Sequence, residues 1–275
     1  MKGFLINLDA SENRLKKVDD RLLASGVVRI SDSPVRWQKG EIVIERLSAV
    51  DGRKMSEGEL QKMRQDKRAF WDWTTHDLRP GEMGCFLSHR KFWQKVVQEK
   101  LPRAFVIEDD ILLSEDFFQM MSSEDWIPSD ADYVKLDLSP ANKSHEYPVS
   151  EPKGLVCGRE IRRMAGRIYG TGCYVISLNA ARECLARSEK LGLPVDLFMF
   201  DSRFDFAPEK VIYTVLPGVA VDEGGDSTIG GTRNKDQLSV CQHLLKGFYS
   251  TARRIRLNIL MKKHALTWVK GEFQS

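Results

Sequence analysis

Apolar residues arrive along this chain in short blocks with two different periods. Phe4-Leu5-Ile6-Asn7-Leu8 is a compact apolar run of the kind that forms a buried strand. From Ser11 to Ala24, Leu15, Val18 and Leu22 recur at helical spacing, and Gly26 closes the segment. Ile42 to Leu47 reads as a second strand after a loop punctuated by Pro and Gly, and Ser56-Glu57-Gly58-Glu59 has the capping-box form that opens a polar helix. After Pro80, the positions of Met83, Phe86, Leu87, Trp93 and Val97 hold one apolar face through Gln98, which predicts a helix. Ala104-Phe105-Val106-Ile107 reads as a central strand that stops at Glu108-Asp109-Asp110. Tyr133 to Leu138 alternates like another strand, Cys173 to Ile176 like a third, and Asn179 to Ser188 like the helix after it. Strand and helix in alternation predict a layered α/β fold with a mostly parallel central sheet.

The end of the chain has a different pattern. Arg253, Arg254, Arg256, Lys262 and Lys263 interleave with Ile255, Leu257, Ile259, Leu260, Leu266 and Trp268, which predicts a basic amphipathic helical tail. The expected organisation is a catalytic α/β domain over residues 1–235 and a helical basic extension over 236–275. Such a tail suits peripheral contact with the inner face of a membrane; packing of its apolar face on the domain is the alternative.

Composition narrows the class. A chain of 275 residues with 42% hydrophobic and 29% charged content buries a sizeable core, as one large domain or one domain with an appendage. The formal charge of +3, from 42 basic and 39 acidic residues, gives no whole-molecule attraction to nucleic acid. Cys85, Cys157, Cys173, Cys184 and Cys241 contain no C-x-x-C pair, so buried thiols in a reducing compartment are expected rather than a disulfide framework or a zinc site. No apolar run approaches the ~20 residues that span a bilayer, and the opening run is short for a signal peptide, so the expectation is a soluble cytoplasmic protein.

The Glu108-Asp109-Asp110 run carries the first candidate chemistry. Adjacent carboxylates at the end of an apolar strand repel one another, and a divalent cation offsets that cost. Mg²⁺ or Mn²⁺ takes oxygen ligands and uses few protein carboxylates when a phosphate supplies the rest. The position fits, because ligands of open α/β sheets bind beyond the carboxyl ends of the strands. The same run also reads as a solvated acidic turn.

Arg79-Pro80-Gly81-Glu82-Met83-Gly84-Cys85-Phe86-Leu87-Ser88-His89, followed by Phe105-Val106-Ile107-Glu108-Asp109-Asp110, resembles glycosyltransferase family 25, the lipooligosaccharide glycosyltransferases. The likeness begins at Phe4 to Leu8 and continues through Leu47-Ser48-Ala49-Val50-Asp51-Gly52, Gly170 to Ser177, Pro194-Val195-Asp196 and Asp226-Ser227-Thr228-Ile229, about the first 230 residues. The resemblance implies a GT-A-type nucleotide-sugar-binding fold, a UDP-sugar donor, a divalent metal, inversion at the anomeric carbon, and a saccharide acceptor such as lipooligosaccharide. Many members transfer galactose, so a UDP-hexose, chiefly galactose, is the expected donor.

By this resemblance Asp110, with Glu108, is the candidate metal ligand, with Mn²⁺ or Mg²⁺ as cofactor, and Glu108 or Asp109 contacts ribose or supports the ligands. Ser88 and His89 are candidate donor contacts, or residues satisfied inside the fold. Asn7, Ala49 and Asp51 stand at strand ends where a nucleotide would lie, although Asp51-Gly52 is also a plain turn signal. Gly170-Thr171-Gly172 suits either close backbone approach to a ligand or a bend before a strand. Asp226 and Ser227 lie in a Gly-rich loop that suits closure over a donor, or is a surface turn. An inverting transfer needs a general base. Asp196, set among apolar residues, is the first candidate and Asp137 the second; for Asp196 the alternative is a helix N-cap. Two other function classes remain open: a metal-dependent phosphohydrolase or nuclease built on the same acidic run, and a sugar-binding homologue without catalysis.

Overall fold

The computed structural model describes residues 1–64, 78–138, 146–166, 168–201, 210–224, 240–271 and 273. The chain opens with β1 (Lys2–Asn7), α1 (Glu12–Ala24), a meander of β2 (Val28–Asp32), β3 (Val35–Lys39) and β4 (Ile42–Ser48), then α2 (Glu57–Met63), α3 (Pro80–Gln98) and β5 (Arg103–Glu108). β1 is buried on both faces, as its unbroken apolar run predicts. Phe4 and Ile6 pack with Met83, Phe92 and Trp93 of α3, while Leu5 faces Val18 and Leu22 of α1 on the other side. Gly3 is required there, because a Cβ at that position would stand 2.2 Å from the Phe105 ring. The capping box expected at the start of α2 is present, with Ser56 and Glu59 each bonding the other's backbone N–H.

The glycines near the start of α3 have a packing reason. A Cβ on Gly84 would lie 2.5 Å from the Val50 carbonyl oxygen, and one on Gly52 would lie 1.8 Å from that of Pro80. The Ala49 to Gly52 turn therefore sits directly against the first turns of α3. Ser88 fixes the contact by accepting the Val50 N–H at 2.9 Å while donating to the Gly84 carbonyl at 2.7 Å.

The rest of the chain supplies β6 (Ile111–Leu113), α4 (Phe117–Met121), β7 (Tyr133–Lys135), β8 (Asp137–Leu138), β9 (Glu146–Val149), β10 (Gly154–Val156), β11 (Arg159–Met164), β12 (Cys173–Ser177), α5 (Leu178–Arg187), α6 (Val195–Phe200), β13 (Ile212–Leu216), β14 (Ala220–Asp222), α7 (Val240–Lys263) and β15 (Thr267–Lys270). Among the described residues twelve strands form one sheet, in the order β15-β9-β11-β13-β7-β12-β5-β1-β4-β3-β2 with β10 added beside β11.

The α/β class is as expected, but the sheet is not mostly parallel. Parallel pairing in it is confined to β1 with β4 and β5, and to β7 with β13; the other pairs are antiparallel. Short connections account for the antiparallel pairs β2–β3, β3–β4 and β10–β11. β10 and β11 are joined by Cys157 and Gly158 alone, with φ of 47° and 75°, the two-residue turn with positive φ at both positions that forces a hairpin.

The run from Tyr133 to Leu138, expected as one strand, serves two sheets. β7 lies in the large sheet, the chain leaves it at Leu136, and β8 enters a small sheet of order β6-β14-β8. That small sheet lies against the end of β5: Asp222 of β14 pairs with Ile111 of β6, and Asp137 of β8 with Ala220.

The tail is also divided. Leu266 and Trp268, grouped with the helix by their spacing, lie beyond it. α7 ends at Lys263, Ala265 takes a φ of 49°, and Leu266 N–H bonds back to the Met261 carbonyl at 2.9 Å. The Thr267-Trp268-Val269 run, β-branched and aromatic, then forms β15 and pairs antiparallel with β9 at the edge of the large sheet.

Candidate active site

β4, β1 and β5 run parallel, so their carboxyl ends, at Ser48, Asn7 and Glu108, face one side. A cleft of about 930 Å³ opens there, bounded by Ala49 to Arg53, by α3 through Glu82, Cys85, Ser88 and His89, and across from them by Gly170 to Gly172, Pro194 to Leu197 and Asp222 to Gly224. The volume falls within the ~300–1,000 Å³ of small-molecule pockets.

The three carboxylates of the Glu108-Asp109-Asp110 run take separate directions. Glu108 turns inward, where its Oε1 meets His89 Nε2 at 3.1 Å and accepts the Thr171 hydroxyl at 2.7 Å. Burial pushes its pKa up, but those two bonds and the charge of Lys135 pull it below the usual carboxylate range. Asp109 accepts from Asn7 Nδ2 at 2.7 Å and from Arg14 Nη1 at 3.0 Å. Asp110 is reached by the same Arg14 nitrogen at 3.4 Å. Burial, then repulsion by Glu108, Asp109 and Asp222, push Asp110 up to about 7. Arg14 therefore offsets only part of the negative charge gathered at this point.

Behind Glu108 lies a closed hydrogen-bond chain. The Trp93 indole N–H donates to the Tyr174 hydroxyl at 3.0 Å, and the same hydroxyl lies 3.0 Å from His89 Nδ1. An indole only donates, so the Tyr174 proton is free to go to Nδ1, which leaves the His89 proton on Nε2, aimed at Glu108. His89 and Tyr174 are both fully buried. This chain holds one face of Glu108 rigidly and leaves the carboxylate ionised.

Asn7 is a junction rather than an exposed contact. Its Nδ2 orients Asp109, its Oδ1 accepts from Arg46 Nε at 3.0 Å, and its carbonyl accepts the Ala49 N–H at 2.9 Å. Ala49 lines the cleft. Asp51 caps the short turn Gly52–Lys54 and grips the Arg53 guanidinium with both oxygens. Ser88 and His89 border the cleft, but their described bonds run within the fold.

The two candidate bases differ in surroundings. Asp137 also lines the cleft, but it is 3% exposed and ion-paired with Lys135, itself 1% exposed, and the pair packs under Gly170 and Gly172. Asp196 lines the cleft in the first turn of α6, whose N-cap is Pro194, so it is not the cap residue. Its Oδ1 accepts the Leu197 N–H at 2.8 Å and its Oδ2 the Gly170 N–H at 3.2 Å. Asp226 and Ser227 lie outside the described residues.

Several site residues carry no signal in the sequence pattern. Arg14 and Lys17 stand on α1 and line the cleft, and Arg14 reaches Asp109 and Asp110 of the acidic run. Asp222 reaches the site through the small sheet: Glu223 N–H bonds to the Asp110 carbonyl at 2.8 Å, which places Asp222 beside Asp110. Cys85, one helical turn before His89, brings its sulfur within 4.8 Å of ligand atoms of His89 and Glu108. A cation there is not needed, since His89 and Glu108 already satisfy each other, and burial together with Glu108 and Asp196 raises the Cys85 thiol well above its usual pKa. Surplus negative charge collects instead at Asp110 and Asp222, and that pair of oxygen donors fits a hard divalent cation.

Residues 1–199 match the sequence model of glycosyltransferase family 25 (LPS biosynthesis protein). The chain is 31% identical over 154 residues to a Haemophilus influenzae lipooligosaccharide biosynthesis protein, lic2B, covering 54% of this chain and 56% of that protein. It is 35% identical over 176 residues to mouse "inactive glycosyltransferase 25 family member 3", covering 60% of this chain and 28% of the relative. It is 29% identical over 201 residues to human procollagen galactosyltransferase 2, covering 71% of this chain and 29% of the relative. The chain thus spans little more than half of the bacterial relative and under a third of the two mammalian ones.

Proposed function

The chain belongs to glycosyltransferase family 25, and from that premise we propose that it is an inverting transferase that moves a hexose from a UDP-sugar to a saccharide acceptor of the lipooligosaccharide type. The gathering of Asp109, Asp110 and Asp222 opposite Arg14, at the carboxyl ends of parallel strands, carries this reading. It is the charge pattern that a nucleoside diphosphate with a divalent cation would complete. Galactose is the proposed hexose, in keeping with the activity named for the human relative, and a GT-A-type arrangement is the proposed fold type.

Mn²⁺ or Mg²⁺ would be held by Asp110 with Asp222, and would supply stabilisation of the charge that develops on the departing diphosphate. Arg14 and Lys17 add fixed positive charge on the same wall. Asn7 and Arg14 hold Asp109, and the chain Trp93, Tyr174, His89 holds Glu108, so both carboxylates are oriented before a donor arrives. In the transfer, the acceptor hydroxyl oxygen bonds to the anomeric carbon as the bond from that carbon to the diphosphate oxygen breaks on the opposite face. The hydroxyl proton passes to Asp196. Asp137 is the second candidate, because Lys135 occupies its Oδ1 within the fold.

The test is a panel of nucleotide-sugars with Mn²⁺, read by UDP release and then by a mass shift on truncated lipooligosaccharide. UDP-galactose should support transfer. No nucleotide release from any donor, with metal present, overturns the proposal. The name of the mouse relative favours one second reading, binding without turnover; donor affinity without release would select it.

A further inference from the structure

The apolar residues of α7 divide between two faces. Leu257 is turned to the domain: its Cδ1 is 3.5 Å from the point where a Cβ on Gly166 would stand, beside Pro148 of β9. Leu260 and Met261 are half-buried on the same side. Ile255 and Ile259, one turn apart, point the other way and are 55% and 59% exposed. Lys262, a turn beyond Ile259, shares their face, and Arg254 and Lys263 flank it, all exposed. Trp268 follows on β15, opposite Pro148 in the ladder, and is 52% exposed.

An amphipathic helix that only packs on its domain keeps its outward face polar. This one keeps isoleucines there, within a segment that has no Asp or Glu from Val240 to Lys270, in a chain whose 42 basic and 39 acidic residues as a whole nearly cancel. Uncovered branched aliphatics rimmed by cations fit the boundary of an anionic lipid surface, where the side chains enter the acyl region and the cations meet headgroup phosphates. A protein partner would have to be strongly acidic to match the rim. We infer that the outward face of α7 is a docking surface for an anionic bilayer. It does not depend on the transfer reaction, since neither the cleft nor any residue given a role in transfer takes part.

The experiment is cosedimentation of the full chain with vesicles of phosphatidylcholine alone or with a third phosphatidylglycerol, with no sugar donor present. Binding should appear with the anionic vesicles only and weaken with salt. Lys262→Gln with Lys263→Gln should reduce it by on the order of tenfold. Ile255→Gln with Ile259→Gln should reduce it at least as much, with the melting temperature unchanged because both side chains are solvated. Equal binding to neutral and anionic vesicles, no binding to either, or full binding by the isoleucine variant would each overturn the inference. So would a wild-type dimer in light scattering that the isoleucine variant dissolves while vesicles are ignored, which would give the face to a second copy of the chain.

Discussion

Asp110→Asn removes the carboxylate that its neighbours repel most, and the structure gives the size and pH dependence of the effect. A carboxyl held at about 7 instead of 3.8 keeps a proton in the folded state that the unfolded state gives up. Stability therefore falls as pH rises between those values, since the native state binds more protons there. Full conversion of that difference is ~4 kcal/mol. The side chain is 37% exposed, and solvent screening reduces the expected cost to about 1–2 kcal/mol. The Asn variant escapes this cost. Its melting temperature should match the wild type near pH 4 and exceed it by about 2–6 °C at pH 8. Addition of Mn²⁺ at pH 8 should raise the wild type and leave the variant unchanged, because the cation replaces the proton as the neutralising group. Asp222→Asn should recover part of the same gain, and the two changes should add to less than their sum. A difference between wild type and variant that is the same at pH 4 and pH 8 would refute the charge-repulsion account, and full transfer activity in excess chelator would refute the metal reading.

Tyr174→Phe strips the partner from the Trp93 N–H and from His89 Nδ1 inside a fully buried region, at an expected cost of ~1–3 kcal/mol in a urea melt; an unchanged midpoint would show that the chain is not made. Asp196→Asn should keep UDP-sugar affinity in a calorimetric titration while losing about a hundredfold or more in transfer, the range of a general base, and near-normal transfer would move the assignment to Asp137. Asp137→Asn leaves Lys135 buried and unpaired and should cost ~3–5 kcal/mol, so a variant as stable as wild type would mean that the ion pair is not formed. Gly84→Ala would press a methyl group against the Val50 carbonyl at 2.5 Å and should lower stability and donor affinity together; a wild-type melting temperature would show that the turn gives way freely.

Segments whose burial is set by local pattern were legible. β1, α1, β4, α3, β5, β12 and α5 each announce themselves through an apolar run or a helical stripe, because each buries a face against elements that the same periodicity defines. The antiparallel half of the sheet was not legible in this way. β9 and β10 are short, β11 carries charged residues such as Arg162 and Arg163, and β11 pairs with β13, which is remote from it in sequence. The parallel expectation failed for a related reason: alternation of strand and helix suggests crossovers, whereas the β10–β11 hairpin needs only two residues with positive φ.

At the site, the sequence pattern identified acids at strand ends and not what each acid touches. Glu108, Asp109 and Asp110 are consecutive, yet one is locked to a histidine, one to an asparagine and an arginine, and one is left carrying surplus charge. The distinction arises from Asp222 and Arg14, which are 112 and 96 residues from Asp110 in sequence. The same reasoning separates the two candidate bases. Asp137 and Asp196 are both acids flanked by apolar residues in the sequence, so the pattern alone ranks them alike. Only the fold shows that Asp137 has a buried lysine across from it while Asp196 accepts two backbone N–H bonds beside the open cleft. A base must reach the acceptor hydroxyl and exchange its proton with solvent afterwards; both acids line the cleft, but Asp137 is 3% exposed and paired with Lys135, which is why Asp196 is the base we propose.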